Sequence, residues 1–211
     1  EQNINTDDII GGFYNTSDFT GDIHKFCMQM KNILINKYGV KFRQHKVKDI
    51  SDELLDTDFV IVCAGIMSKN LAHKLGDSLP IYPVKGYSIT LNNPGNYAPW
   101  VSLLDDERKI VTARLGNDRL RIAGTAEFSG YNTDIKWDRI RPLIKWAENN
   151  FININTEDIK PWAGLRPMTP NMMPIIRQSK KNKKVFYNTG HGHLGWTLSA
   201  FTGKIISKLI N

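Results

Sequence analysis

The sequence predicts an α/β protein with an inserted antiparallel, α+β unit, and three stretches of its 211 residues support this prediction. Phe59–Cys63 (F-V-I-V-C) is a continuous apolar run, as in strands that are buried on both faces of a parallel sheet. Residues 81–125 contain short strands separated by polar turns, which is typical of an antiparallel sheet. Val185–Ile206 contains a strand, a glycine-rich loop and a helix, so the chain returns to the α/β part at its end.

The first part of the chain is predicted to alternate helix and strand. Asp22–Tyr38 has a helical apolar period; Thr20-Gly21-Asp22 offers a start and Gly39 an end. The apolar face of this helix consists of Ile23, Phe26, Met30, Ile33 and Leu34. Val40–His45 and Val47–Ile50 are predicted as a strand with a small break. With Phe59–Cys63 following, this order is typical of the later half of a nucleotide-binding domain.

The middle of the chain is predicted to contain a sheet and one helix. The expected strands are Ile81–Leu91, Trp100–Leu104, Lys109–Ala113 and Arg119–Thr125. Asp134–Phe151 is predicted to be helical, with Ile135, Ile140, Leu143, Ile144 and Ala147 inside. Pro161–Pro174 is rich in proline and is predicted to be irregular. The last helix is expected to bury Leu194, Leu198, Phe201, Ile205 and Leu209.

The composition is that of a globular protein, with 41% hydrophobic and 23% charged residues. No apolar run approaches the ~18 residues of a membrane span, and no signal peptide is visible at Glu1. Cys27 and Cys63 lie in apolar settings, which predicts reduced core thiols in the cytoplasm. The net charge of +7 is scattered except at Lys180–Lys184, which is typical of a solvated turn rather than a nucleic-acid site.

The spacing Gly190-x-Gly192-x-x-Gly195 satisfies the dinucleotide fingerprint G-x-G-x-x-G. That fingerprint requires a second strand and an acidic residue about 20 positions further on, and the sequence ends at Asn211. We therefore do not expect this loop to hold a pyrophosphate. Its backbone N–H groups and the following helix start remain able to meet an electron-rich ligand, although a tight turn without a ligand would also explain the glycines.

Six motifs occur together along the chain. They are G-G-F-Y-N-T-S-D-F-T-G-D, F-V-I-V-C-A-G, Y-P-V-K-G-Y-S, A-G-T-A-E-F, W-A-G-L-R-P-M-T-P and G-H-G-H-L-G-W-T. In this order they resemble the D-amino acid dehydrogenase small subunits of the FAD-dependent D-amino acid, glycine and sarcosine oxidoreductase family. The resemblance covers essentially the whole chain.

The resemblance implies a partial FAD/NAD(P)-binding parallel-sheet domain with an inserted antiparallel-sheet substrate domain. Residues 1–75 and 175–211 would form the first, and residues 76–174 the second. Family members begin with a strand, a G-x-G-x-x-G loop and a helix that hold the FAD pyrophosphate. The sequence lacks this unit and an initiator Met, so we expect the C-terminal half of a longer protein, a trimmed chain or a split gene product.

The resemblance also implies which residues contact FAD. Those predicted to do so are Val47 (adenine), Ala64 and Gly65 (a close-approach turn), Gly190, His191, Gly192, Leu194, Gly195, Trp196 and Thr197 (the flavin side). Each has a structural alternative, since strand valines, turn glycines, and a Trp or Thr at a helix start need no ligand.

The resemblance assigns Arg166 to the substrate, as a bidentate clamp for its carboxylate; the alternative is a surface arginine that caps a carbonyl. Tyr87 would add a hydrogen bond to the same carboxylate or line the pocket, unless it is a cross-strand packing partner. His191 would lie near substrate and flavin, with general-base catalysis as a further option. Lys85 is left without an assigned role, a solvated strand charge being the simplest reading.

His191 and His193 lie two residues apart, but no Asp, Glu or Cys cluster accompanies them, so we expect no metal.

The resemblance implies oxidation of a D-amino acid to an imino acid by hydride transfer to FAD, followed by hydrolysis to a 2-oxo acid and ammonia. Electrons would pass to a respiratory acceptor. The protein would be cytoplasmic, either free in the cytosol or peripheral at the inner membrane. The alternatives are an oxidase of glycine or a secondary amine, and a non-catalytic fragment or interaction module without flavin. The isolated chain is expected to bind FAD weakly or not at all, and to pair with itself or with an N-terminal half.

Overall fold

The computed structural model describes residues 3–5, 7, 9–54 and 56–211. The chain divides into two compact units. The antiparallel unit comprises Glu1–Tyr38, Lys85–Glu127 and Asn132–Gly164; the glycine-loop unit comprises Gly39–Val84, Phe128–Tyr131 and Leu165–Asn211. The domain boundaries predicted from the sequence, at residues 75 and 175, stay a prediction.

Helices and strands follow one another along the chain in a mixed order. They are α1 (Ile23–Tyr38), α2 (Ile50–Glu53), β1 (Val60–Val62), α3 (Ser68–Lys74), β2 (Tyr82–Asn92), β3 (Leu104–Asp105), β4 (Ile110–Leu115), β5 (Arg119–Glu127), α4 (Trp137–Asn150), β6 (Ile159–Met168), β7 (Ile175–Gln178), β8 (Val185–Thr189) and α5 (Gly195–Ile210). Short 3₁₀ turns cover Gly65–Met67 and Gly95–Tyr97. None of the helices formed by the described residues is long and apolar enough to cross a membrane.

The antiparallel unit contains a five-stranded sheet in the order β3-β4-β5-β2-β6. The pairs β3–β4, β4–β5 and β5–β2 are antiparallel, which confirms the sheet type predicted for residues 81–125. Alternate residues of β2 and β5 point to one face and pack on α4. The buried side chains shared by this core include Ile89, Leu91, Leu120, Ile122, Ile140, Leu143 and Ala147. Each large apolar side chain buried in this core stabilises the unit by roughly 1.5–3 kcal/mol.

A β-bulge interrupts the pairing of β2 with β5. Tyr87 lies opposite Gly124 whereas Gly86 lies opposite Ala126, so Thr125 is the extra residue. Its φ of 56° is unusual for a β-branched residue, and its hydroxyl is buried without a hydrogen-bond partner. Bulges re-aim the side chains that follow them, and the residues beyond this one carry the charged network described below.

The glycine-loop unit contains a three-stranded sheet in the order β1-β8-β7. β1 and β8 are parallel, with Val60 opposite Val185 and Val62 opposite Tyr187, whereas β7 pairs with β8 as an antiparallel neighbour. The parallel pair joins two distant parts of the chain, as predicted. The separate mixed and antiparallel sheets confirm the predicted combination of α/β and α+β structure. The core of this unit contains Ile50, Val62, Ala72, Leu79, Ile81, Val185 and Tyr187.

Three predictions of secondary structure are wrong. Val40–His45 and Val47–Ile50 form no strand, and Ile50 begins α2; a strand needs a neighbour for its N–H and C=O groups, and none pairs with this segment in the described chain. The strand expected at Trp100–Leu104 is reduced to β3. Pro161–Pro174 is not wholly irregular, because β6 runs through it; β6 is an edge strand, where proline costs no ladder hydrogen bond.

Several apolar faces predicted to be buried are exposed. The helix α1 begins and ends as predicted, with Asp22 accepting from the Lys25 N–H at its start. No described residue of α1 is buried, however, and Cys27 and Cys63 are both exposed, so the prediction of core thiols is wrong. Ile61 of β1 is 43% exposed, so that strand is covered on one face only. In the part of the chain described, these faces have no covering layer.

In α4 and α5 the predicted and observed buried residues differ less than in α1. Ile140, Leu143 and Ala147 of α4 are fully buried as predicted, but Ile135 precedes the helix and is exposed. The core face of α5 is shifted from the prediction, because Phe201 is exposed whereas Thr202 and Ile206 are buried. The helical period was right, and its phase differs by one residue.

Candidate functional site

The loop between β8 and α5 has two glycines in backbone conformations that favour glycine, and both pack closely on neighbouring side chains. Gly190 and Gly192 have φ values of 75° and 57°, a region that favours glycine. A Cβ on Gly190 would lie 2.9 Å from Thr169 Cγ2, and one on Gly192 would lie 2.8 Å from Met168 Sδ. The Gly192 N–H donates to the Pro167 carbonyl at 3.0 Å. The loop is therefore fastened to the end of β6 and its following residue.

The helix α5 starts at this loop without a side-chain cap. Leu194 is the N-cap residue; its side chain makes no capping bond, and the first turn contains no acidic residue. The Leu194 N–H donates to the His191 carbonyl at 3.0 Å, which turns the chain into the helix. An uncapped start of a 16-residue helix presents partial positive charge, which suits a negative or electron-rich group. The predicted flavin-side residues Leu194, Gly195, Trp196 and Thr197 all belong to this start.

The turn at Ala64 and Gly65 is tied to the same region by a chain of hydroxyl groups. The Ala64 N–H donates to Ser68 Oγ at 3.1 Å, and Ser68 Oγ lies 2.8 Å from Thr189 Oγ1. The Thr189 hydroxyl donates to the Gly65 carbonyl at 3.2 Å, so it must accept the hydrogen of Ser68. Thr189 is the last residue of β8, immediately before Gly190. The structure thus brings together two of the segments predicted to contact FAD.

Arg166 lies on β6 rather than in the irregular loop expected from the sequence. It is half-buried and immediately precedes Pro167, whose carbonyl holds the glycine loop. The candidate carboxylate clamp and the candidate flavin-side loop are therefore parts of one compact unit. The role of Arg166 in binding a carboxylate stays a prediction.

Tyr87 belongs to the antiparallel unit, and its side chain is buried in the core of that unit. Its hydroxyl donates to Glu127 Oε2, which leaves it no second hydrogen to donate. A direct bond from Tyr87 to a substrate carboxylate stays a prediction, and it would require the bond to Glu127 to break. The side chain also fits the packing role that was the sequence-based alternative.

Lys85 is buried completely and is not the solvated strand charge that its sequence setting indicated. Its Nζ lies 3.1 Å from Glu127 Oε2 and donates to Asn132 Oδ1 at 3.1 Å and to the Asp134 carbonyl at 3.0 Å. Lys136 bonds the other oxygen of Glu127. The bonds from Lys136 and then from Tyr87 lower the pKa of Glu127 to about 2.

Replacing Glu127 by Gln should destabilise the antiparallel unit, because it leaves the buried ammonium of Lys85 without its counter-ion. We expect the urea midpoint of Glu127→Gln to fall clearly below that of wild type. Asp106→Asn is the matched control, since Asp106 pairs with Lys109 at 2.7 Å but both side chains are largely exposed. Equal midpoints for the two variants would show that the buried pair contributes no more than the exposed one.

His191 is half-buried, and its Nε2 lies 3.1 Å from Thr202 Oγ1. Burial lowers the pKa of His191, so the imidazole is neutral at pH 7. His193 is exposed. Within the described residues, no three His, Cys, Asp or Glu side chains come together as a metal site.

Val47, the predicted adenine contact, lies in the irregular segment before α2 and is 38% exposed. With Arg43, His45 and Glu53 it lines an open cavity of about 440 Å³.

A larger groove of about 1680 Å³ belongs to the antiparallel unit and is bordered by Phe13, Phe19 and Trp100, among others. None of the predicted site residues lines that groove, so its size alone does not connect it with the site.

Sequence reasoning missed four polar residues that hold the candidate site residues in place. They are Ser68, Glu127, Thr189 and Thr202. Thr202 could have been noticed in the sequence, because it is a polar residue four positions before Ile206, on the same face of α5. The others lie far along the chain from their partners, and their pairing depends on the fold.

Comparison with known proteins agrees with this geometry. The chain matches the FAD dependent oxidoreductase family over residues 1–209. It is 50% identical over 219 residues to D-amino acid dehydrogenase 3 of Mesorhizobium japonicum, covering 95% of this chain and 53% of that protein. It is 39% identical over 221 residues to the D-amino acid dehydrogenase of Paramagnetospirillum magneticum, covering 97% and 51%. The chain thus spans about half the length of these curated relatives.

Solved structures show the same fold at lower identity. Glycine oxidase from Geobacillus kaustophilus matches with a TM-score of 0.65 and 23% identity, over 72% of this chain and 41% of that one. Iminodiacetate oxidase from Chelativorans sp. BNC1 matches with a TM-score of 0.63 and 22% identity, over 73% and 42%. With the glycine loop, the helix start and the two sheets assembled as described, this chain belongs to the family of FAD dependent oxidoreductases.

Proposed function

We propose that this chain is the C-terminal part of a flavin-dependent D-amino acid dehydrogenase. The observation that carries the proposal is that one compact unit contains the glycine loop, the uncapped start of α5 and the end of β6 from Leu165, which bears Arg166. The 50% identity to a D-amino acid dehydrogenase over 95% of the chain supports the choice of substrate class.

The residues present fit the flavin side of FAD. The Gly192 and Leu194 N–H groups of this loop already donate to the Pro167 and His191 carbonyls, so the loop would meet the flavin by close packing rather than through these two donors. The uncapped start of α5 supplies hydrogen-bond donors and partial positive charge. Bound FAD would supply the acceptor for the hydride that leaves the substrate Cα.

The side chains of this chain would bind and orient the substrate. Arg166 would hold the carboxylate through two parallel charge-assisted hydrogen bonds, which fixes the direction of the Cα–H bond. Neutral His191 would accept a proton from the substrate ammonium, since hydride leaves a neutral amine more readily. The Cα–H electron pair departs with the hydride, and water hydrolyses the resulting imino acid to a 2-oxo acid and ammonia. Electrons would continue to a respiratory acceptor, with the whole protein in the cytoplasm or at the inner membrane surface.

Titration of the 211-residue chain with FAD tests the cofactor part of the proposal. We expect weak or no binding, with a dissociation constant above about 1 μM, equivalent to roughly −8 kcal/mol. The reason is that the family's pyrophosphate cradle is a separate strand–loop–helix unit, which this sequence lacks. A monomer that binds FAD more tightly than this would contradict the prediction.

Addition of the N-terminal half of a full-length relative should restore the yellow complex. We expect the two chains to co-elute in size-exclusion chromatography and to reduce a dye acceptor with a D-amino acid but not with its L-enantiomer. Production of hydrogen peroxide with glycine or a secondary amine would instead identify the oxidase alternative. A folded complex that turns over none of these amines would support the non-catalytic alternative and overturn the proposal.

A further inference from the structure

Thr202 is a buried polar residue on α5 whose hydroxyl has two partners. Its side chain is 1% exposed, so water does not compete for this group. Oγ1 donates to the Ser199 carbonyl at 3.3 Å, and it lies 3.1 Å from Nε2 of His191. All three residues belong to the glycine-loop unit.

The number of hydrogens at this site selects one arrangement. A hydroxyl has a single hydrogen, so if Thr202 donates to Ser199 it must accept the hydrogen of a protonated Nε2 on His191. In the opposite arrangement Thr202 donates to Nε2, the Ser199 bond is lost, and Nδ1 carries a hydrogen for which the described residues offer no acceptor. The arrangement in which Nε2–H donates to Thr202 makes one hydrogen bond more than the other. This matters because the Thr202 hydroxyl is buried, where an unmade hydrogen bond is costly.

We infer that Thr202 is a positioning residue that fixes His191 as the Nε2–H tautomer and leaves Nδ1 as a bare acceptor at the glycine loop. The peptide group that joins His191 to Gly192 is held as well, at both its carbonyl and its N–H. The Leu194 N–H donates to the His191 carbonyl, and the Gly192 N–H donates to the Pro167 carbonyl, each at 3.0 Å. Burial of the imidazole lowers its pKa and so keeps Nδ1 unprotonated near neutral pH.

The chemical consequence rests on the proposed function. With Nε2–H engaged by Thr202, Nδ1 keeps a lone pair and is the atom that would take the substrate ammonium proton. Thr202 would then act through His191, without touching the substrate. A histidine free to exchange tautomers would offer this lone pair only part of the time.

The tautomer can be measured in the isolated chain by long-range ¹H–¹⁵N NMR of ¹⁵N-histidine-labelled protein at neutral pH. We expect His191 to show a pyrrole-type shift at Nε2 and a pyridine-type shift at Nδ1. The exposed His193 serves as an internal reference. Because its tautomers are free to exchange, its two nitrogen shifts should lie closer together than the two nitrogen shifts of His191. A wild-type His191 with its hydrogen on Nδ1 overturns the inference, whatever the variants show.

Two substitutions separate positioning from folding. Thr202→Val removes the hydroxyl at constant shape and should bring the nitrogen shifts of His191 toward those of His193, whereas Thr202→Ser should keep the wild-type shifts. Ser207→Ala is the matched control, because Ser207 makes the same kind of bond to the Lys204 carbonyl at 2.9 Å within α5 but has no histidine partner. Unchanged shifts in a folded Thr202→Val protein would contradict the role of Thr202.

The outcome is independent of whether the proposed reaction occurs. The spectra are recorded without FAD or substrate, so absence of D-amino acid oxidation in the reconstituted complex refutes the proposed function and leaves the tautomer result intact. Conversely, an active complex whose His191 carries its hydrogen on Nδ1 refutes this inference alone.

Discussion

Replacement of Asp77 by Ala should lower the free energy of unfolding by about 2–4 kcal/mol, the largest stability effect that we expect in the glycine-loop unit. Asp77 is 5% exposed and accepts hydrogen bonds from the Ser179 and Tyr187 hydroxyls and from the Lys180 N–H. Its removal leaves two buried hydroxyl groups without their acceptor. It also releases the polar turn at Lys180–Lys184 from the end of α3.

Urea unfolding of Asp77→Ala beside Asp106→Ala measures this effect, since Asp106 is an exposed carboxylate on Lys109. We expect the control to change by less than about 0.5 kcal/mol. Similar losses in the two variants would show that the hydroxyl partners of Asp77 find other acceptors when it is removed.

The same network predicts how stability depends on pH. Burial alone would raise the pKa of Asp77, but the hydrogen bonds from Ser179 and Tyr187 outweigh it, so the pKa lies below its usual value. A carboxyl whose pKa is lower in the folded state stabilises the protein above its unfolded-state pKa of about 4. This contribution is lost as the pH falls through the folded-state pKa. Asp77→Ala should therefore lose less stability than wild type on acidification below about pH 4, as measured by urea midpoints at several pH values.

Tyr187 should respond at the other end of the pH scale. Burial, followed by the bond to Asp77, raises the pKa of Tyr187 to about 12. Its phenolate absorbance should consequently appear at higher pH than the value of about 10 that is usual for tyrosine. In Asp77→Ala this separation should become smaller.

Replacement of Arg166 by Ala in the FAD-loaded complex should reduce kcat/KM for a D-amino acid by the equivalent of about 2–5 kcal/mol. This prediction depends on the proposed function, because it assumes that Arg166 makes a bidentate, largely desolvated pair with the substrate carboxylate. Arg166→Lys should recover only part of the loss, since an ammonium cannot form both parallel bonds.

Steady-state kinetics with a dye acceptor measure this loss. Arg141→Ala is a suitable control, because Arg141 is an exposed residue of α4 that belongs to no predicted site. Unchanged kcat/KM in Arg166→Ala would exclude the clamp. A loss of the same size for an amine substrate without a carboxylate would show that Arg166 acts on the fold and not on the substrate.

Much of the fold could be predicted where the pattern is local. The start of α1 follows from Asp22, whose carboxylate accepts from the Lys25 N–H, and the start of α5 at Gly195 follows from the glycine loop. The antiparallel sheet follows from short alternating runs between polar turns. The candidate site could be predicted only as a set of motifs, such as Gly190–Thr197, because motifs are contiguous in sequence.

Burial could not be predicted in the same way. The apolar residues of α1 and the outer face of β1 have the composition of a core but are exposed in the described chain, since burial requires a second surface. The phase of α5 was predicted from its apolar residues alone. Thr202 faces inward instead, because its hydroxyl finds both of its partners there.

The sequence by itself determined the family resemblance, the two kinds of sheet and the position of the glycine loop, because each of these depends on residues that are neighbours along the chain. Only the tertiary structure decided which charged groups are buried and what they bond. Lys85 reads as a solvated strand charge until Glu127, 42 positions later, lies opposite it across the bulged sheet. The physical reason is that a buried charge is stable only with a partner, and the partner is chosen by the pairing of strands that are distant in sequence.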